Sequence, residues 1–80
     1  MSHSIVETYI LLRKEENYYY NKYEECLEKI SNYESKGWPN EHAREDLYYL
    51  FKFYSGAAIN RAEDMAEMEA ENPELANIKI

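Results

Sequence analysis

The strong helix breakers of this chain are few, and their positions decide its architecture. "SKGWPN", residues 35–40, interrupts the middle, "NPE", 72–74, interrupts the end, and the only other glycine is Gly56. The stretches between have helical composition and no two-residue apolar alternation. Two long helices joined by so short a connection must lie antiparallel. The expected fold is therefore all-α, a single domain over 1–80: a hairpin with helix one at about 5–36, a turn at 37–39, helix two at about 40–72 and a tail at 73–80.

The boundaries have local causes. Ser4 followed by Glu7 forms a capping box. Gly37 is placed to take a left-handed cap conformation. Pro39 or Asn40 opens the second helix, with Glu41 at the positive end of its dipole. Pro73 stops it, and Pro73-Glu74 can begin one last short turn. "RKEEN", 13–17, is the stretch of helix one best suited to a kink or break.

Helical spacing puts Ile5, Tyr9, Leu12, Tyr19, Tyr23, Cys26, Ile30 and Tyr33 on one face, interrupted by Glu16. Ala43, Leu47, Leu50, Tyr54, Ala58, Met65 and Met68 form the matching face of helix two. Apolar residues remain beyond these stripes. "LYYLFKFY", 47–54, is apolar almost all round the helix, and a hairpin buries only one face of each helix. Tyr48, Tyr49, Phe51 and Phe53 would partly face water, as would Val6, Ile10 and Leu11. A monomer would expose more apolar surface than soluble monomers tolerate, so the hairpin is expected to assemble into a homo-oligomer. Tyr20, Tyr48, Tyr49, Phe51, Phe53 and Gly56 are the candidate interface. In "SGAA", 55–58, the small residues allow either a neighbouring backbone or a planar ligand to come close.

"ENYYYNKYEEC", 16–26, sharpens the question. Tyr18, Tyr19 and Tyr20 together span about 200° of a helix, wider than one buried stripe. Tyr19 and Tyr23 belong to the core and Tyr20 to the flank. Tyr18 shares a strip with Lys22, Lys29 and Lys36, and Glu25 lies among them. A ring beside ammonium groups offers a nucleotide a stacking surface and charges for its phosphates. The same strip also fits a solvated face with an ordinary Glu25–Lys29 pair.

The formal net charge is −7, which disfavours duplex nucleic acid as a partner. Residues 61–80 hold six of the acids against two bases. "RAEDMAEMEAENPE" can be a solvated helix end, or a surface that imitates nucleic acid and blocks a host defence protein. One cysteine, Cys26, allows no intrachain disulfide and fits a reducing compartment. No apolar run is long enough to span a bilayer and the start has no signal-peptide pattern, so the expected location is cytoplasmic, with no membrane partner.

"EECLE", 24–28, resembles half of the carboxylate pattern of MazG-type nucleotide pyrophosphohydrolases, with Glu24, Glu25 and Glu28 as magnesium ligands. The partner-helix half is missing: "ARED" and "RAED" carry adjacent acids instead. His3, Cys26 and His42 lack metal-ligand spacing. There is no phosphate-binding Gly loop and no nucleophile with its base. No catalytic residue, metal or cofactor is expected.

"FYSGAAINR", 53–61, is similar to a segment in the second helix of the phage anti-CBASS and anti-Thoeris sponge hairpins. The matching positions are Phe53, Tyr54, Ser55, Ala57, Ala58, Ile59 and Arg61; the family usually has Trp where Tyr54 stands. Counting back along the helix places "GWPNE" at the family's hairpin turn. The resemblance covers about 25 residues, 37–61. "LYYLFKF" replaces the family's Lys-Leu-Glu-Glu-Ala stretch, and the N-terminal parts do not align. The resemblance implies oligomeric hairpins, in a host cytoplasm, that bind cyclic nucleotide immune signals between subunits without catalysis. Tyr18, Lys22, Lys29 and Arg61 are the candidate ligand-binding residues; the alternative partner is a host defence protein.

Overall fold

The computed structural model describes residues 4–78. Helix α1 spans Ile5–Lys36, helix α2 spans Glu41–Glu71, and a short 3-10 helix covers Pro73–Asn77. The two long helices pack against each other as a hairpin with extents of 48 × 24 × 18 Å. No helix among the described residues is long and apolar enough to cross a membrane.

The caps explain why the elements start where they do. The backbone N–H of Glu7 donates to Ser4 Oγ at 3.1 Å, and that of Ala43 donates to Asn40 Oδ1 at 2.8 Å. Each bond satisfies a donor that has no partner within the helix. α1 continues without a break through 13–17, where the sequence suggested one. That stretch contains no Gly or Pro. Arg13 and Glu15 within it are tied to α2 instead, Arg13 through the Tyr9 hydroxyl to Glu69 and Glu15 through Arg61.

Gly37 ends α1, but not in the left-handed helical cap expected of it. Its φ is 100° and its ψ 146°, an extended conformation that side chains rarely adopt. Its N–H donates to the Tyr33 carbonyl at 2.7 Å, which closes the last turn. Gly56 is helical, and a Cβ placed on either glycine meets nothing within 4 Å. The two positions should therefore respond to alanine in opposite directions. Gly37→Ala is expected to cost about 1–3 kcal/mol through backbone strain. Gly56→Ala is expected to stabilise by about 0.5–1 kcal/mol through helix propensity. Urea midpoints with unchanged slope would show both shifts.

Along the seam, rings meet across the hairpin. Tyr23 stacks on Phe51 at 5.0 Å, and Tyr19 faces Tyr54 at 6.3 Å. Cys26, Ile30 and Ala58 are buried among them. Tyr19 and Tyr23 are half-buried rather than fully core, because two helices provide only one layer of cover. Ile5 and Tyr33, at the two ends of α1, stay exposed.

Leu50, expected on the seam, is 40% exposed, and Phe51 takes its place. Buried Ala58 and Met65 are seven residues apart, and Phe51 lies seven before Ala58. A seam repeating every 3.5 residues drifts about 20° per heptad from the straight-helix wheel that favoured Leu50.

The best-buried part of the molecule lies at the open end. Tyr9 is 0% exposed and Leu75 1%, and they pack with Met65. Leu12, Met68 and Ile78 lie against this cluster. The 3-10 helix thus folds back over the ends of both long helices, because Pro73 breaks α2 and turns Leu75 inward. Tyr9 keeps its hydroxyl paired, donating to Glu69 Oε2 at 2.9 Å and accepting from Arg13 Nη2 at 2.5 Å.

Candidate functional site

Tyr18 is 55% exposed on the outer side of α1. One turn on, the Lys22 ammonium lies 5.8 Å from its ring centroid. Tyr18 also meets Tyr19 edge-on at 5.3 Å. The Arg61 guanidinium, reaching across from α2, lies 4.9 Å from the Tyr19 ring. The result is a continuous strip of cation, ring, ring and cation. Its ends come from different helices, so the hairpin brings together two of the candidate cations that the sequence separates.

Both cations already hold a carboxylate. Lys22 lies 3.4 Å from Glu25 Oε2, and Arg61 lies 3.8 Å from Glu15 Oε1. Hydrogen bonding to Glu25, then its charge, holds the Lys22 ammonium above the usual lysine range. Exposed pairs of this kind contribute little, so an arriving phosphate can replace them. Lys52 has no ion-pair partner among the described residues.

Beyond Arg61 the strip opens into a shallow groove of about 380 Å³ lined by Tyr19, Lys52, Phe53, Gly56, Ala57, Asn60 and Arg61. Gly56 and Ala57 keep its floor low. Phe53, more than half exposed, turns its ring edge-on to Tyr19 at 6.4 Å. Cationic, amide and aromatic groups converge here on a surface with room for a planar anion.

Lys29 does not join this strip. It stands two turns beyond Lys22, about 10 Å along the helix. It lines a second groove, which meets the strip at Lys22 and includes Glu25, Glu28 and Asn32. Tyr18 and Tyr20 lie about 200° apart around α1, so they face opposite flanks. Tyr20 lies 5.9 Å from Tyr23 and lines a different groove with Ser55, Ala58 and Ile59.

The other candidate interface residues are dispersed. Tyr49 is exposed and Phe51 is half-buried on Tyr23. Tyr48 is half-buried near the turn, donating to Glu34 Oε1 at 3.0 Å beside Trp38. That hydrogen bond raises its phenol above the usual tyrosine range.

Among the described residues no group of three or more His, Cys, Asp or Glu side chains is close enough to hold a metal. Glu24, Glu25 and Glu28 are exposed, Cys26 is buried and His42 is exposed. His3 lies outside the described residues.

Tyr19, Lys52 and Asn60 are site residues that the sequence reading did not single out. One signal was available for the groove. Glu15 and Arg61 are equally distant from Trp38 at the turn, so folding the chain about that point pairs them and puts Arg61 over the neighbouring Tyr19. No family model, curated protein or solved structure matches this chain.

Proposed function

We propose that this chain is a non-enzymatic anti-defence protein whose hairpins associate and withhold a cyclic nucleotide immune signal at contacts between subunits. The observation that carries this reading is the strip Lys22–Tyr18–Tyr19–Arg61. An exposed ring supplies a stacking face for a base, and flanking cations supply contacts for phosphates. The strip covers only one side of a base, and a neighbouring hairpin covers the other. The similarity of residues 53–61 to the sponge hairpins supports the same reading, since the matching residues Phe53, Ala57 and Arg61 line the adjoining groove. Lys29 then acts at the edge, if the ligand extends along α1.

A sponge and a hydrolase differ in what they give back. Cyclic nucleotide should stay with the protein through gel filtration and be recovered chemically intact after heat denaturation. Recovery of a linear or shortened product would overturn the non-enzymatic reading.

The second reading is a blocker of a host defence protein. It is favoured by the exposed acids Glu63, Asp64, Glu67 and Glu71 along the last turns of α2. It leads if the protein binds no nucleotide.

A further inference from the structure

On the flank opposite Tyr18, the two helices enclose a groove of about 230 Å³ between Tyr20, Tyr23, Ser55, Ala58 and Ile59. None of these side chains is ionised at neutral pH. Ser55 and the buried Ala58 are small and leave a hollow floor. At its edge, Tyr20 is 52% and Ile59 53% exposed. Leu27, two turns beyond Tyr20 on the same side of α1 and past the exposed Glu24, is also exposed. Hollow and projecting apolar groups therefore sit side by side on one patch.

We infer that a second copy of this chain seats on this groove, each copy placing its projecting ring against the other's hollow. Three observations select a second copy as the occupant. The first is shape: a two-fold contact needs one patch that carries both the projection and the recess it fills. The second is charge. Copies with a net charge of −7 repel over most of their surface, and this groove, whose lining carries no ionised side chain, is where they can meet. The third is area. The chain exposes 6115 Å², about 1,000 Å² beyond the roughly 5,100 Å² of a compact monomer of its mass. A standard interface removes about 600–1,000 Å² from each partner, so one such contact accounts for the excess.

This inference rests on the self-association half of the proposed function and assigns it a surface. This contact lies on the flank opposite the Tyr18 strip, so the hairpin that covers a bound ligand is a further copy and not this partner. It also narrows the candidate interface: Tyr20 belongs to it, while Phe53 and Gly56 line the groove beside Arg61, and Tyr49 plays no part in this contact.

Sedimentation equilibrium at micromolar concentration tests it with three proteins. The wild-type chain should sediment at a multiple of 9.6 kDa. Ile59→Glu places a charge on an exposed position at the groove's edge. It should keep its helical circular dichroism and weaken assembly at least about 30-fold, as loss of a central contact does. Tyr49→Glu, also exposed, should assemble as the wild type does. If Ile59→Glu loses helicity, Tyr20→Lys takes its place at the same edge. A wild-type chain sedimenting at 9.6 kDa would overturn the inference and remove self-association from the proposed function as well. A folded Ile59→Glu that assembles as tightly as the wild type would overturn only the choice of surface.

Discussion

Tyr9→Ala is expected to cost the hairpin more stability than any other single truncation of a ring, about 3–5 kcal/mol. Tyr9 is the largest side chain at the centre of the open-end cluster, packed against Met65 and Leu75. Truncating a buried aromatic ring costs about 3–5 kcal/mol. A chain of this length has a total stability of about 4–12 kcal/mol, so the loss takes from about a quarter of it to all. The ring also closes a polar chain, since its hydroxyl bridges Arg13 on α1 and Glu69 on α2. Tyr9→Phe keeps the packing and removes only the bridge. It should cost less, about 1.5–3 kcal/mol because both hydrogen bonds are to charged groups, and leave the fold intact. Urea titration followed by circular dichroism, at one fixed protein concentration because association adds stability, separates the two variants. A Tyr9→Ala protein with a wild-type midpoint would mean that the open end contributes little to the fold.

The prediction falls on Tyr9 because the open end, rather than the middle of the seam, is best covered. Only there do three elements meet. The sequence allowed a last short turn after Pro73 but gave no reason to bury Leu75. "NPELANI" has too few apolar residues for periodicity to mark a packed element. The partner for Leu75 comes from Tyr9, near the other end of the chain, and one sequence carries no sign of such a long-range pairing.

The hairpin itself was legible because its signals are local. Ser4, Gly37, Asn40 and Pro73 each act within a few residues of their own position, and each lies at an element boundary. The exchange of Leu50 for Phe51 shows where local reading stops. A straight wheel cannot settle a seam position when neighbours on both sides are apolar, and the heptad from Ala58 to Met65 decides it. The candidate site divides in the same way. Tyr18 beside Lys22 follows from helical spacing alone. Arg61 over Tyr19 depends on the hairpin's register, and so does the groove that Lys52 and Asn60 share. Tyr19 was assigned to the core from its place on the stripe. Its ring packs on Tyr54 and also faces the guanidinium outside, so one side chain serves both the seam and the site.

The second large effect concerns binding. Tyr18 and Lys22 stand on the surface, with Tyr18 more than half exposed and Lys22 paired only locally with Glu25. Replacing both by Ala loses only the partly exposed edge contact of Tyr18 with Tyr19 and a local ion pair, so the urea midpoint should move little. For a bound nucleotide the loss is large. Stacking on one aromatic ring is worth about 1–3 kcal/mol, a factor of about 5–150 in affinity. Loss of the charge-assisted phosphate contact from Lys22 weakens binding further in the same direction. Arg61→Ala should weaken it too, and should also release Glu15.

Titration calorimetry of the wild-type protein against cyclic dinucleotides, cyclic trinucleotides and cyclic ADP-ribose isomers tests this most directly. The expected result is saturable binding of at least one of them, with most of the affinity lost in the Tyr18→Ala, Lys22→Ala double variant while its fold persists. No heat of binding across the whole panel from a folded wild-type protein, or a double variant that binds as tightly as the wild type, would contradict it.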